Sequence, residues 1–142
     1  MKINKTITLI RHGSTEYNDK EFMQGRIDLP LSNKGISEAE LLNKELVDGK
    51  FDIIFHSPLL RAYQTAVIVN KSHDLEYIPI DCFKEIDIGE WEGEKFSVVN
   101  TKYNDIYKRW ITDSTTKTPG GESYTDVQNR VREGVFCSSA RI

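Results

Sequence analysis

A repeated alternation of strand-like and helix-like patterning limits what this chain can fold into. The apolar run ITLI, residues 7–10, is short, rich in β-branched side chains and bounded by a glycine, as expected of a buried strand. From Asn33 to Val47, apolar residues at Ile36, Ala39, Leu42 and Leu46 keep a helical spacing, and Gly49 follows as a stop signal. FDIIF, residues 51–55, reads as a second strand. After it Ser57 is placed to cap a helix whose first residue is Pro58, running through Arg61, Gln64 and Val67 towards Asn70. EYIPID, residues 76–81, is a third strand candidate, with Pro79 placing it towards a sheet edge. Phe96 to Trp110 has helical spacing at Val99, Tyr103, Ile106 and Trp110. After the polar loop 112–122, SYTD forms a capping-box pattern from Ser123 to Asp126 that opens a last helix. Strand, helix, strand, helix, strand predicts one α/β domain over residues 1–142 with a largely parallel sheet.

Charge and size narrow the partners. A chain of 142 residues is long enough for one core, and a net charge of −3 argues against nucleic acid or an anionic membrane. No run approaches the ~18 apolar residues of a membrane span, and the start MKINKTITLI lacks the length and cleavage site of a signal peptide. Cytoplasm is the expected compartment. Cys82 and Cys137 form no CxxC and read as buried or incidental thiols. His56 reads as a packed polar residue at a strand terminus, His73 as exposed, and Trp91, Trp110 and the tyrosines as core or groove walls.

Ligands of open α/β sheets collect outside the C-terminal ends of the strands. Arg11 and His12 follow the first strand candidate, Arg61 falls on the first turn of the helix after the second, and Glu85 follows the third in FKEIDIGEWEG. Two guanidinium forks match phosphate oxygens, and the helix beginning at Pro58 points a positive dipole end at the same edge. A neutral imidazole has a lone pair for nucleophilic attack. A carboxyl group can protonate a leaving alkoxide and later take a proton from water. This chemistry needs no metal and no cofactor.

With those residues in view, the chain resembles the histidine phosphatase superfamily, also called phosphoglycerate mutase-like proteins. LIRHGSTEYN, FMQGRIDLPLSNKGISEAE, FHSPLLRAYQTA, KEIDIGEWEG and PGGES follow the family's order and spacing over roughly residues 6–132. The resemblance implies a three-layer sandwich with a largely parallel sheet flanked by helices. It also implies that His12 is a nucleophile forming a phosphohistidine, that Arg11 and Arg61 grip the phosphoryl oxygens with Asn18 and Gln24 assisting, and that Glu85 is the proton donor. FMQG followed by DLPL is more similar to the broad phosphatase branch than to the mutases. The expected activity is hydrolysis of small phosphorylated metabolites. A phosphoglycerate mutase-type phosphotransferase and a catalytically inactive phosphate-binding or interaction protein are the alternatives.

The pattern breaks at the end of the chain. The family carries a second histidine in a late Ser-His-Gly motif on a strand between those bearing RHG and SPLLR, whereas here the sequence after Arg132 reads EGVFCSSARI. The expectation is a domain incomplete at its C-terminus, with weakened activity. A sheet lacking a central strand is expected to pair with another copy or to be marginally stable. Lys102, Lys108 and Arg109, between Glu85 and PGGES, read as a solvated helix face.

Overall fold

The computed structural model describes residues 6–139 and the side chains of residues 6–136. Six α-helices and two strands follow in the order α1 (Glu16–Asp19), α2 (Asn33–Glu45), β1 (Ile54–His56), α3 (Leu60–Val69), β2 (Tyr77–Pro79), α4 (Phe96–Lys102), α5 (Asn104–Thr112) and α6 (Tyr124–Ser139) among the described residues. Short 3-10 turns lie at Asn70–Ser72, Asp81–Phe83 and Gly89–Trp91. β1 and β2 pair in parallel, Ile54 opposite Tyr77 and His56 opposite Pro79, with α3 as the right-sized crossover between them. Pro79 has no N–H to give a further neighbour, which suits a strand bonded on one side. The fold is α/β, as the alternation predicts.

The first strand candidate departs from its expectation. Residues 6–15 take no regular secondary structure, and Ile7, Leu9 and Ile10 are 69, 90 and 42% exposed. An extended segment becomes a strand only where a neighbour completes its ladder, and no strand is hydrogen-bonded to residues 7–10 among the described residues. The second strand is shifted, covering Ile54–His56 rather than 51–55.

The helix after β1 starts at Leu60, not Pro58, and its N-cap residue Leu59 offers no side-chain bond. Ser57 Oγ instead accepts from the Leu59 N–H at 3.3 Å, and the open N–H of Leu60 donates to Asp28 Oδ1 at 2.6 Å. A carboxylate from a distant loop therefore caps this helix. The predicted helix over 96–110 is divided at Tyr103, whose φ of −115° and ψ of 28° leave the helical region. α2 matches its expectation closely: Ser32 is the N-cap, accepting from the Gly35 N–H. Its buried positions are Gly35 and Ala39, with Ile36 turned to solvent, and it packs on α3.

The main apolar cluster joins Met23, Ile86, Ile88, Trp91, Val99 and Trp110, with Tyr103, Ile106, Tyr107 and Val127 against it. Trp91 is fully buried and meets Trp110 edge-on at 5.5 Å, a favoured aromatic arrangement. This cluster anchors the irregular segment 85–92 to α4, α5 and α6. His56 is buried, its Nδ1 2.7 Å from the Ser57 carbonyl oxygen and its ring tilted against Tyr63 and Tyr77. His73 is half-buried rather than exposed, its ring edge-on to Phe51 at 5.3 Å. Cys82 is a free, half-buried thiol, while the Cys137 side chain lies outside the described residues. No described helix is long and apolar enough to cross a membrane.

Candidate active site

The loop carrying Arg11 and His12 is held by two helices. The Gly13 N–H donates to Thr65 Oγ1 of α3 at 3.1 Å, and Thr65 Oγ1 donates back to the Arg61 carbonyl at 2.7 Å. On the other side Ser14 N–H and Oγ–H donate to the two carboxylate oxygens of Glu38 at 2.8 and 3.0 Å, and Ser32 N–H donates to the Ser14 carbonyl at 2.9 Å. Glu38 and Ser32 both belong to the α2 region. Gly13 and Gly35 allow this approach, because a Cβ on either would strike the other segment's backbone.

His12 is half-buried, with Nδ1 2.8 Å from the Gly13 carbonyl oxygen. A carbonyl only accepts, so Nδ1 carries the proton and Nε2 keeps the free lone pair. Desolvation by burial is the largest influence on its titration and pulls the pKa below the ordinary 6.5. The Gly13 hydrogen bond and Glu85 oppose that shift, and the positive charges of Arg61 and Arg11 reinforce it. Arg11, Arg61 and Glu85 are thus the charged groups that act on this imidazole. Its neutral form is favoured there.

Arg61 is 2% exposed, and most of its donors are used internally. Nη2 donates to the Gly25 carbonyl at 2.8 Å and Nη1 to the Ile27 carbonyl at 3.0 Å. With its amide oriented to satisfy both neighbours, Gln24 accepts at Oε1 from Arg61 Nη1 and Nε at 2.7 and 3.2 Å, and donates from Nε2 to Thr15 Oγ1 at 2.6 Å. The second hydrogen of Nη2 has no protein partner among the described residues. Arg11, by contrast, is exposed. One arginine is thus held by protein partners and the other is open to solvent.

The remaining predicted residues divide. Gln24 is buried and bonded to Arg61, so it orients that guanidinium. Asn18 is exposed, and its Oδ1 accepts from the Thr15 N–H and hydroxyl at 2.9 Å each, in a capping box at the start of α1. Glu85 is exposed, its Oε1 accepting from the Ile86 N–H at 2.8 Å. Lys102 and Arg109 lie on exposed positions of α4 and α5. Thr65, Glu38 and Asp28, which support the site, lie inside the motifs FHSPLLRAYQTA and FMQGRIDLPLSNKGISEAE, but the sequence reading assigns them no role. Their membership of those motifs, and for Thr65 and Glu38 their spacing of four from Arg61 and three from Gly35, is the signal that could have found them.

The chain is similar to known proteins over most of its length. The model of the histidine phosphatase superfamily (branch 1) matches residues 7–138. Phosphoserine phosphatase 1 of Hydrogenobacter thermophilus is 38% identical over 127 residues, covering 89% of this chain and 60% of that protein. A solved structure of mycobacterial glucosyl-3-phosphoglycerate phosphatase superposes with a TM-score of 0.87 at 32% identity, covering 92% of this chain and 62% of that one. The alpha-ribazole phosphatase of Shigella flexneri gives 0.82 at 28% identity, covering 93% and 66%. The chain therefore spans about three fifths to two thirds of the length of these proteins.

Proposed function

Because the chain belongs to the histidine phosphatase superfamily, we propose that it hydrolyses phosphomonoesters of small metabolites through a covalent phosphohistidine on His12. One observation carries the reading: a neutral imidazole with its lone pair fixed on Nε2 by the Gly13 carbonyl, coupled to two arginines and one carboxyl group. In the first step Nε2 attacks phosphorus as the P–O bond to the leaving group breaks, and Glu85 gives its proton to the departing oxygen. In the second, water attacks the phosphohistidine, Glu85 takes the water's proton, and inorganic phosphate leaves with Nε2 regaining its lone pair. Arg61 and Arg11 carry the charge on the equatorial oxygens. Gln24 supports this reading by fixing Arg61 before substrate arrives. The relatives' names include esters of serine, a glucosylated phosphoglycerate and alpha-ribazole, which favours a small phosphorylated metabolite here too.

Hydrolysis of p-nitrophenyl phosphate by the wild-type chain and by His12→Ala, both verified as folded by circular dichroism, tests the reading. Release of p-nitrophenolate that falls to the background rate with His12→Ala is the expected result. Equal silence, or activity that survives the substitution, contradicts it.

A further inference from the structure

The irregular segment that carries Glu85 needs a support that its own backbone does not provide. Lys84 is extended, with φ −55° and ψ 148°, and the carbonyls of Cys82, Lys84 and Glu85 are taken up by side chains instead. Arg130 of α6 donates from Nη1 to the Cys82 and Lys84 carbonyls at 2.7 and 2.6 Å, and from Nη2 to the Glu85 carbonyl at 3.0 Å. From a different part of the chain, Arg26 Nε donates to the same Glu85 carbonyl at 3.2 Å. Two guanidinium groups thus converge on the backbone of the proposed proton donor.

One carboxylate locks both. Glu122 Oε1 accepts from Arg26 Nη2 at 3.1 Å and from Arg130 Nε at 3.0 Å. Its Oε2 accepts from Arg130 Nη2 and from the Asp87 N–H at 3.0 Å each. The pairing with Arg130 is a two-pronged fork, which fixes direction as well as distance. The Arg130 and Glu122 side chains are 18 and 22% exposed, so water competes less than at an open surface pair. Asp87 Oδ2 lies 3.5 Å from Arg26 Nη1. Two cations therefore face two anions, and the group adds geometry near Glu85 without adding net charge.

Arg26 also ties this support to the other half of the site. Its neighbours Gly25 and Ile27 present their carbonyls to Arg61, while its own N–H donates to Glu92 Oε1 at 2.6 Å. Successive residues of one tight turn, with Gly25 at φ 51° and the Ile27 N–H donating to the Gln24 carbonyl at 3.1 Å, thus reach the phosphate-gripping arginine through their backbone and the proton donor through a side chain. We infer that Arg26, Glu122 and Arg130 form a clamp that sets the distance between the Glu85 carboxyl group and the leaving oxygen of a phosphoryl group whose equatorial oxygens Arg61 grips. They are positioning residues for proton transfer and touch no substrate. The inference rests on the phosphatase reading.

Leaving-group dependence isolates this role. A p-nitrophenolate departs without a proton, whereas a serine-type alkoxide does not, so only the alkyl ester depends on a well-placed acid. The experiment compares kcat/KM for O-phosphoserine and p-nitrophenyl phosphate in wild type, Arg26→Met, Arg130→Met and Glu85→Gln. Misplacing the acid by an ångström is expected to lower the alkyl-ester value roughly 10- to 100-fold in each arginine variant, with a much smaller change for the aryl ester. Their alkyl-to-aryl ratios then move towards that of Glu85→Gln. Parallel losses on both esters, or no loss on either, overturn the clamp while leaving the phosphatase reading intact. A wild-type chain silent on both esters overturns the phosphatase reading and the clamp with it. Arg26, the more exposed of the two at 34%, keeps the test decisive if Arg130→Met fails to fold.

Discussion

At the scale of single residues, the site separates side chains that hold from side chains free to act. Arg61 spends its donors on Gly25, Ile27 and Gln24, so its orientation is set in advance, which lowers the reorganisation needed when charge develops. His12 is kept neutral by burial first, with Arg61 and Arg11 adding to the effect. An NMR titration of His12 is therefore expected to give a midpoint below the ordinary 6.5, and Arg11→Gln to raise it by removing one cation. A nucleophile with a lowered pKa is active in its deprotonated form, so the His12-dependent acid limb of hydrolysis lies below pH 6.5. A midpoint at or above that value contradicts this electrostatic account. His12, Arg11, Arg61 and Glu85 were legible because each follows a strand-like run. The hydrogen-bonded convergence of Arg26, Glu122 and Arg130 was not: all three project from loops or a late helix, and their meeting depends on tertiary contacts across up to about a hundred residues, which local periodicity does not encode.

At the scale of elements, local chemistry was readable where it is self-contained. The SYTD box forms as its spacing predicts: Ser123 Oγ accepts from the Asp126 N–H at 3.1 Å, and Asp126 Oδ2 accepts from the Ser123 N–H at 3.0 Å. Ser123→Ala is expected to cost about 1 kcal/mol in denaturant unfolding. The Ser123 N–H, followed by Lys117, pulls the Asp126 pKa down to about 2. A depressed carboxylate stabilises the fold fully above its ordinary 3.8, and that contribution fades as pH falls towards 2. Asp126→Asn should remove this part of the acid dependence, and an unchanged profile would contradict it. Elements that need a partner were harder to read. ITLI has the composition of a strand, yet strand formation depends on a neighbour's backbone and not on β-branching alone. Adjacency in sequence makes Ser57 the cap candidate of α3, while the bond to Leu60 comes from Asp28. The break at Tyr103 has no glycine or proline to announce it. There the side chain packs its ring 5.9 Å from Trp91, and packing overrides a continuous helical pattern.

At the scale of the whole molecule, the candidate site is a meeting of segments that are far apart in sequence. The His12 loop rests on α2 and α3, Arg61 is held by residues 24–27, and Glu85 is held through Arg26 and Arg130. The aromatic cluster around Trp91 braces the segment next to Glu85. This architecture explains why several short motifs in order carried more information than any one of them: each contributes a single contact to a shared centre. The family model's span over residues 7–138 follows the same set of segments.

The central claim is that His12 carries the phosphoryl group. Incubation of the wild-type chain with O-phosphoserine, an alkaline quench that preserves phosphohistidine, and peptide mass spectrometry tests it most directly. The account predicts one phosphoryl group on the peptide containing His12, absent in His12→Ala. Ester hydrolysis accompanied by no phosphorylated peptide, or by a phosphoryl group on a different residue, would contradict it.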